Sequence, residues 1–168
     1  MKRKLAGNML GKIGILKMDI NALKDNELIT GISVLATLKH VDQMEIAKCM
    51  LIEPLLSYSK VLQLLRKSNS SVKSVEDLIM KESITFSNFN ERYRDKFILS
   101  INSIILFKKM GLLNVEENMI IFRGNNFNFN ESSLGKKAST RILASKNLAK
   151  ILSKGETSDL YLSLRIKI

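Results

Sequence analysis

The 168-residue chain is poor in the residues that support much of protein chemistry, with one cysteine, one histidine, one proline and no tryptophan. A single cysteine, Cys49, excludes a disulfide framework within the chain. Because His40 is the only imidazole, a zinc site would need ligands drawn almost wholly from carboxylates, which zinc rarely accepts alone. The sequence therefore predicts no metal and no cofactor, and it fits a reducing cytoplasm.

Long apolar runs are also lacking. The opening MKRKLAGNMLGKIGILKM begins with basic residues as a signal peptide does, but Lys12 and Lys17 interrupt its apolar stretch. The longest apolar run, FILSINSIILF at 97–107, is far shorter than a membrane span and contains three polar residues. We expect a cytoplasmic protein that has no membrane partner.

Positive charge is in excess and is concentrated towards the two ends of the sequence. The formal net charge is +11, from 27 basic and 16 acidic residues. Residues 1–17 carry five basic groups and no acid, and residues 136–168 carry eight basic groups against two acids. The stretch between them holds 14 groups of each sign. The middle of the sequence is therefore neutral in net charge, and we expect any polyanion to bind the basic segments at the two ends.

Apolar residues make up 45% of the chain, which excludes a disordered protein and predicts a single compact domain over residues 1–168. Turn signals and changes in composition divide this domain into four parts. They are a basic N-terminal arm at 1–18, a helical part at 19–70, a winged-helix-like part at 73–123, and a basic helix followed by a C-terminal strand at 134–168.

The helical part contains two periodic segments. Apolar residues three and four positions apart predict a helix over 26–38. Asp42, followed three residues later by Glu45, predicts an N-terminal cap for a second segment over 42–68. Pro54 lies inside that segment and should kink it or break it into two helices.

The order of elements in the next part is that of a winged helix. Ser74 caps a short helix, SVEDLIMKES, and a turn at ITFSN follows. Asn88 then caps a long helix that runs to Met110 and stops at Gly111. Two apolar runs over 112–122 flank EEN and predict a hairpin.

The last part combines a helix and an alternating segment. A helix over 134–154 has an apolar face and a lysine-rich face and ends at a glycine. LYLSLRIKI at 160–168 alternates strictly and predicts a half-buried strand beside the hairpin. The expected fold class is therefore α+β, mostly helical, with a winged-helix-like core and a small antiparallel sheet made of the hairpin and the C-terminal strand.

No arrangement of residues points to catalysis. GNMLGKI at 7–13 and LGKKAST at 134–140 both lack the glycine spacing of a phosphate-binding loop. Cys49 falls on the apolar side of its helix, so a buried thiol is favoured over a catalytic pair with His40. The pairs Glu76–Asp77 and Glu116–Glu117 are explained by a helix start and a turn. We expect no enzyme and no small-molecule substrate.

The helix over 88–110 favours assembly over reading of DNA sequence. The basic and acidic residues in its first turns nearly cancel in charge. Beyond Phe97 the helix is apolar on almost all sides, as a buried helix is. We expect a core helix with part of its surface available to a partner subunit. The candidate protein interface consists of Phe97, Ile101, Ile105, Leu112, Ile120 and Phe122.

Three interpretations of the basic segments remain open. The lysine-rich helix face can be a simple solvated surface, a surface that follows phosphates, or a contact for an acidic protein. The absence of aromatic residues among the basic groups argues against stacking on single strands. The candidate contacts for DNA or an acidic partner are Lys2, Arg3, Lys4, Lys12, Lys17, Lys136, Lys137, Arg141, Lys146 and Lys150.

The chain resembles the middle-component subunits of three-component ABC systems, which include the small subunits of Lamassu-type bacterial antiviral defence. The resemblance covers most of residues 19–168. It rests on LIEPLLSYSKVLQLLR at 51–66, FNERYRDKFILSINSIILFKKMGLL at 89–113 and GKKASTRILASKNLAKIL at 135–152, in that order.

The resemblance implies a non-catalytic subunit of an antiviral or anti-plasmid complex. Its partners would be an ABC ATPase similar to SMC proteins and an effector, often a nuclease, with non-specific contact to double-stranded DNA. A stand-alone winged-helix transcriptional regulator is the alternative, by structural analogy only.

Overall fold

A computed structural model describes residues 27–167, which form a mostly helical α+β fold. The helices are α1 (Glu27–Leu38), α2 (Ile46–Cys49), α3 (Ile52–Leu56), α4 (Ser59–Leu65), α5 (Val75–Lys81), α6 (Ser83–Phe86), α7 (Phe89–Lys109), α8 (Gly135–Lys154) and α9 (Thr157–Ser163). The strands are β1 (Gln43–Glu45), β2 (Leu113–Glu116) and β3 (Met119–Phe122), and a 3₁₀ turn spans Ser132–Leu134. The predicted fold class, a helical α+β fold with a small antiparallel sheet, is confirmed.

The sheet has three antiparallel strands in the order β1-β3-β2. Strands β2 and β3 form the predicted hairpin, and Glu117 takes the left-handed conformation in its turn, with φ of 53°. The third strand is β1, which pairs Met44 with Ile120. The prediction that the third strand comes from the C-terminal end is therefore wrong.

The last described residues form helix α9 and not a strand. Leu160 and Leu164, four residues apart, are buried, whereas Leu162 between them is 76% exposed. The Tyr161 hydroxyl donates to the backbone oxygen of Ala47 at 2.8 Å, which fixes the helix on the body of the protein. The leucine alternation matches a strand, but burial follows the helical spacing because these residues pack against helices.

The predicted helix cap at Asp42 is also wrong. Asp42 has φ of 62°, and its carbonyl oxygen accepts the N–H of Phe122 at 2.8 Å, which prolongs the sheet. The segment that follows is broken, as predicted, but into three short helices, α2 to α4, and not into two, and Pro54 lies within α3 and not at a break. Pro54 is the third residue of α3, a position whose N–H would have no partner within the helix.

The other predicted helix boundaries agree closely with the structure. The Ser74 side chain accepts the N–H of Asp77 at 3.2 Å and caps α5. Gly111, with φ of 73°, follows the end of α7. Asn88 precedes α7 but makes no capping bond with its side chain, which instead accepts the Tyr58 hydroxyl at 3.1 Å. The segment predicted as a turn at ITFSN largely forms α6.

Helix α1 occupies the centre of the fold. All of its residues from Ile29 to Leu38 are buried, and its main contacts are with α7 and α8. At Gly31 the helix approaches α7 so closely that a Cβ atom would overlap the ring of Phe107. The most enclosed helix is therefore α1, while α7 buries only one side. None of the helices within 27–167 combines the length and apolarity that crossing a membrane requires.

Candidate functional site

Arg141 of α8 and Glu53 of α3 form an ion pair inside the core. Their side chains are only 2% and 0% exposed. Arg141 Nη2 donates to Glu53 Oε1 at 3.1 Å, and Nη1 donates to Oε2. The hydroxyl of Thr30 in α1 also donates to Oε2, at 2.9 Å, so three helices meet at one carboxylate. The pair therefore links the core helices and presents no charge at the surface.

The prediction that Arg141 belongs to the exposed basic face is thus wrong. Arg141 comes three residues after Ala138 and four before Ser145, and all three side chains are buried on one line of α8. Its neighbour Ile142 is only partly buried. The sequence carries a matching signal in Glu53, because an acid inside the apolar run MLIEPLL requires a buried partner.

The remaining candidate lysines of α8, namely Lys136, Lys137, Lys146 and Lys150, are exposed. The end of α1 adds Lys39 and His40, two residues that the sequence did not connect with this helix. Burial, followed by the positive charges of Lys39, Lys146 and Lys150, lowers the pKa of His40. We call Lys39, His40, Lys146 and Lys150 the basic surface. Its potential favours an anion.

A shallow cleft of about 230 Å³ adjoins the basic surface. Its lining includes Phe129, whose ring centroid lies 4.6 Å from the Lys39 ammonium nitrogen. Phe129 is only 8% exposed, so its ring supports the lysine and offers little face for stacking on a base. Lysines at the rim of the cleft can bind phosphate oxygens. Contacts of this kind do not distinguish one base from another.

The candidate contacts in the N-terminal arm lie outside residues 27–167. They are Lys2, Arg3, Lys4, Lys12 and Lys17. Any contribution of the arm to a polyanion contact stays a prediction from the sequence.

The six residues predicted as a protein interface are divided between surface and core. Phe97 and Ile105 of α7 are 39% and 46% exposed, and Ile101 and Phe122 are partly buried. Leu112 and Ile120 are only 5% and 0% exposed, so in this fold they cannot meet a partner. Ile120 is buried because it lies in β3, the central strand, between Met44 and Val115.

Five exposed apolar side chains were missed from the sequence, among them Leu143 of α8 and Leu162 of α9. Ile98 of α7 is 63% exposed, and its spacing of seven residues from Ile105 was the available signal. Met80 of α5 and Ile84 of α6 are 74% and 87% exposed. We call Met80 and Ile84 the α5–α6 patch. Contiguous exposed apolar surface is typical of interaction sites, and these two side chains lie on consecutive short helices.

The candidate reactive groups are held in structural positions. Cys49 is fully buried, and burial raises the pKa of its thiol, so the thiolate is disfavoured. Hydrogen bonds from the Glu76 backbone, Ser163 and Ser74 lower the pKa of Glu76 at the start of α5. Within the part of the chain that the structure describes, histidine, cysteine and carboxylate side chains form no group suited to a metal ion.

Comparison of the chain with protein-family models, with curated proteins and with solved structures finds no match. The proposals below therefore rest on the residues themselves and on the contacts, burial and charge described above.

Proposed function

We propose that the protein is a cytoplasmic, non-catalytic accessory subunit of an antiviral or anti-plasmid complex. It connects an SMC-like ABC ATPase with an effector nuclease and contacts double-stranded DNA without sequence preference. The observation that carries the proposal is the separation of surfaces: apolar side chains are exposed on α5–α6 and α7, and lysines are grouped at the end of α1 and on α8.

The α5–α6 patch is the docking surface that we assign to the ATPase or the effector. Met80 and Ile84 are exposed on two consecutive short helices. Covering such side chains removes apolar area from water and contributes about 25 cal/mol per Å². A partner with a shallow apolar groove fits this patch.

The basic surface is the contact that we assign to DNA. Lys39, Lys146 and Lys150 lower the pKa of the same histidine, so their ammonium groups act on one region. Lysines that neutralise phosphates release counterions, which gives affinity for any duplex and a steep loss of affinity with salt. Binding of this kind retains DNA near the ATPase and requires no recognition of bases.

Affinity purification from cells that express the neighbouring genes tests this function. The tagged chain should co-purify with the ATPase and the effector. Met80→Glu combined with Ile84→Glu should reduce their recovery about tenfold or more, because two carboxylates would be forced against an apolar groove. Leu162→Glu is the matched control, since Leu162 is 76% exposed on α9. Recovery of the wild-type chain alone would contradict the proposal.

A stand-alone winged-helix regulator is the second candidate, and the sheet favours it. A strand after α1 pairs with the far strand of a hairpin that follows the long helix α7, as in winged helices. The exposed side of α7 argues against a regulator. A recognition helix needs several hydrogen-bond donors there, whereas the middle of this side carries Ile98, Asn102 and Ile105. Competition between an upstream operator fragment and bulk DNA discriminates, because only a regulator should prefer its operator by about a thousandfold.

A further inference from the structure

A second shallow cleft adjoins the one beside the basic surface. It measures about 270 Å³ and is lined mainly by the loop between β3 and the 3₁₀ turn. Lys39 and Phe129 line both clefts, so the two meet at these residues. We call the two clefts together the Lys39 groove. Each cleft alone is smaller than the roughly 300 Å³ at which small-molecule pockets begin, whereas the two together reach that size.

The loop that lines the groove is held by its own packing. The Phe127 N–H donates to the carbonyl oxygen of Gly124 at 2.9 Å. The rings of Phe127 and Phe129 meet edge to face, with their centroids 4.8 Å apart. Gly124 lies so close to the core that a Cβ atom there would approach Cδ1 of Leu35 to 2.9 Å. The surface of the groove is therefore formed before a ligand binds, which lowers the entropic cost of binding.

The two ends of the groove differ in charge. His40 and Lys146 line one end, and Lys39 and Lys146 lie close enough that their charges, after burial, lower the pKa of His40. Asp42 and Asn125 line the other end, and both are exposed. A carboxylate repels an anion and accepts hydrogen bonds from amino or hydroxyl groups. The groove therefore fits a ligand that carries an anion at one end and hydrogen-bond donors at the other.

The cleft that contains Asp42 also offers aromatic surface. Phe122 and Phe127 line it, and both are only partly buried. In this they differ from Phe129, which is 8% exposed. A partly exposed aromatic ring is a platform on which a flat, unpaired base can stack, and stacking of this kind contributes strongly to nucleotide affinity.

We infer that the Lys39 groove binds a single nucleotide. Lys39 and Lys146 bind its phosphate, and Phe122 and Phe127 contact its base. Asp42 accepts a hydrogen bond from the amino group of the base. Cytosine carries such a group where uracil and thymine carry a carbonyl, so the groove selects among bases. This selection goes beyond the duplex contact proposed for the basic surface, which distinguishes no bases.

Isothermal titration calorimetry of the full chain with adenosine monophosphate, adenosine and inorganic phosphate measures binding. We expect a dissociation constant of about 0.1 to 1 mM for the monophosphate, because the clefts are shallow. Adenosine and phosphate should each bind at least about tenfold more weakly, since each reaches only one end of the groove. Binding of phosphate or adenosine as tight as that of the monophosphate would overturn the inference.

A pair of pyrimidine nucleotides tests the role of Asp42. Cytidine monophosphate should bind several-fold more tightly than uridine monophosphate, because only cytosine donates to the carboxylate. Asp42→Asn should remove this preference, since an amide both donates and accepts. The backbone there has φ of 62°, a conformation in which asparagine is enriched. Equal binding of the two nucleotides by the wild type would overturn the assignment of Asp42 to the base.

Two substitutions separate this site from the duplex contact. Phe127→Ala should weaken binding of adenosine monophosphate roughly five- to a hundredfold and leave duplex binding unchanged, because a duplex offers no unstacked base. Lys150→Glu should weaken duplex binding and hardly affect the nucleotide, since Lys150 lines neither cleft. Phe97→Ala is the matched control, because Phe97 of α7 is 39% exposed and lies outside the groove. Circular dichroism verifies that each variant is folded. Equal nucleotide affinity in Phe127→Ala and Phe97→Ala would overturn the inference.

A nucleotide can reach the groove free or as an unpaired unit of a strand. A short oligoadenylate, titrated beside adenosine monophosphate, distinguishes the two sources. An affinity for the oligonucleotide at least about tenfold higher would identify a strand, because neighbouring phosphates then reach the basic surface as well. Equal affinities would identify the free nucleotide. Binding of neither probe would overturn the inference.

Discussion

At the scale of single residues, the Arg141–Glu53 pair shows that a buried charge acts within the core and not at the surface. Arg141 is one of eight basic residues in the C-terminal part of the sequence, and composition alone places it with the lysines. In the structure it bonds Glu53 beneath α1, at the centre of the fold. Removing one partner of such a pair leaves an uncompensated charge buried in the core, which costs more than the pair itself contributes.

We therefore expect Arg141→Met to lower the free energy of unfolding by about 3 to 5 kcal/mol. Adding Glu53→Leu should recover most of this loss, because both charges are then gone and the remaining volume is apolar. Urea denaturation followed by circular dichroism measures both. Lys136→Met, on the exposed side of the same helix, should change stability by no more than about 0.5 kcal/mol. Similar losses in the single and double variants would contradict this account of the pair.

His40 gives the basic surface a dependence on pH. Burial and three neighbouring lysines lower its pKa in the folded protein below the value of 6.5 in the unfolded chain. Between these two pKa values the unfolded chain binds more protons, so protonation favours unfolding. Between about pH 7.5 and about pH 5.5, an interval that spans the reference pKa, we expect the melting temperature to fall more in the wild type than in His40→Asn. An equal fall in both proteins would contradict the assignment.

At the scale of elements, close packing of α1 on α7 determines the centre of the fold. Gly31 is the point of closest approach, where a Cβ atom would overlap the ring of Phe107. A helix interior normally favours alanine over glycine by about 1 kcal/mol. Here the steric cost should exceed that gain, because the ring can move only by displacing the core around it.

Gly31→Ala should accordingly destabilise the protein by about 1 to 3 kcal/mol. Phe107→Leu should relieve much of that cost when combined with it, since the smaller side chain leaves room for the methyl group. Gly155→Ala is a suitable control, because there a Cβ would lie 3.2 Å from the end of the Leu160 side chain and φ is −101°. Thermal denaturation of the four variants distinguishes these effects. A stabilising Gly31→Ala would show that α1 and α7 do not approach as described.

Much of the secondary structure could be predicted from local sequence, because long periodic segments and turn residues act over a few positions. α1, α7, α8 and the hairpin all form where the sequence indicates. Strand β1 could not be predicted, since its three residues are extended only through pairing with β3, more than 70 positions away. The spacing of the C-terminal leucines is compatible with both a strand and a helix. Contacts with other helices stabilise the helix α9.

The surfaces were less accessible to prediction than the elements. Periodicity tells which residues share a side of a helix, and it correctly grouped the lysines of α8. It does not tell which sides of different helices adjoin, so the sequence did not connect His40 with Lys146 or Arg141 with Glu53. For the same reason Leu112 and Ile120 could not be separated from the exposed Phe97 and Ile105 before the fold was known.

At the scale of the whole molecule, charge and apolar surface are segregated. The basic surface lies at the end of α1 and on α8, the α5–α6 patch lies on two short helices, and Ile98 and Ile105 are exposed on α7. A protein that works through several partners needs surfaces that can be occupied together. The reactive side chains, by contrast, are either buried or dispersed, as Cys49 and His40 illustrate.

The same segregation gives a prediction for DNA. Lys146→Glu combined with Lys150→Glu should weaken duplex binding at least tenfold and reduce the slope of log affinity against log salt by about 2, since roughly one counterion is released per phosphate neutralised. Lys60→Glu combined with Lys67→Glu, also exposed but outside the basic surface, is the matched control. Fluorescence anisotropy at several salt concentrations measures the slope. Equal slopes in the two double variants would contradict the assignment of the basic surface.

The central claim is that this chain acts by joining other proteins. Its most direct test is the native mass of the material purified from cells through a tag on this chain, with the neighbouring genes present. The account predicts a complex that contains the ATPase and the effector together with this chain. A mass equal to the chain alone or to its dimer, with no other protein bound, would contradict it.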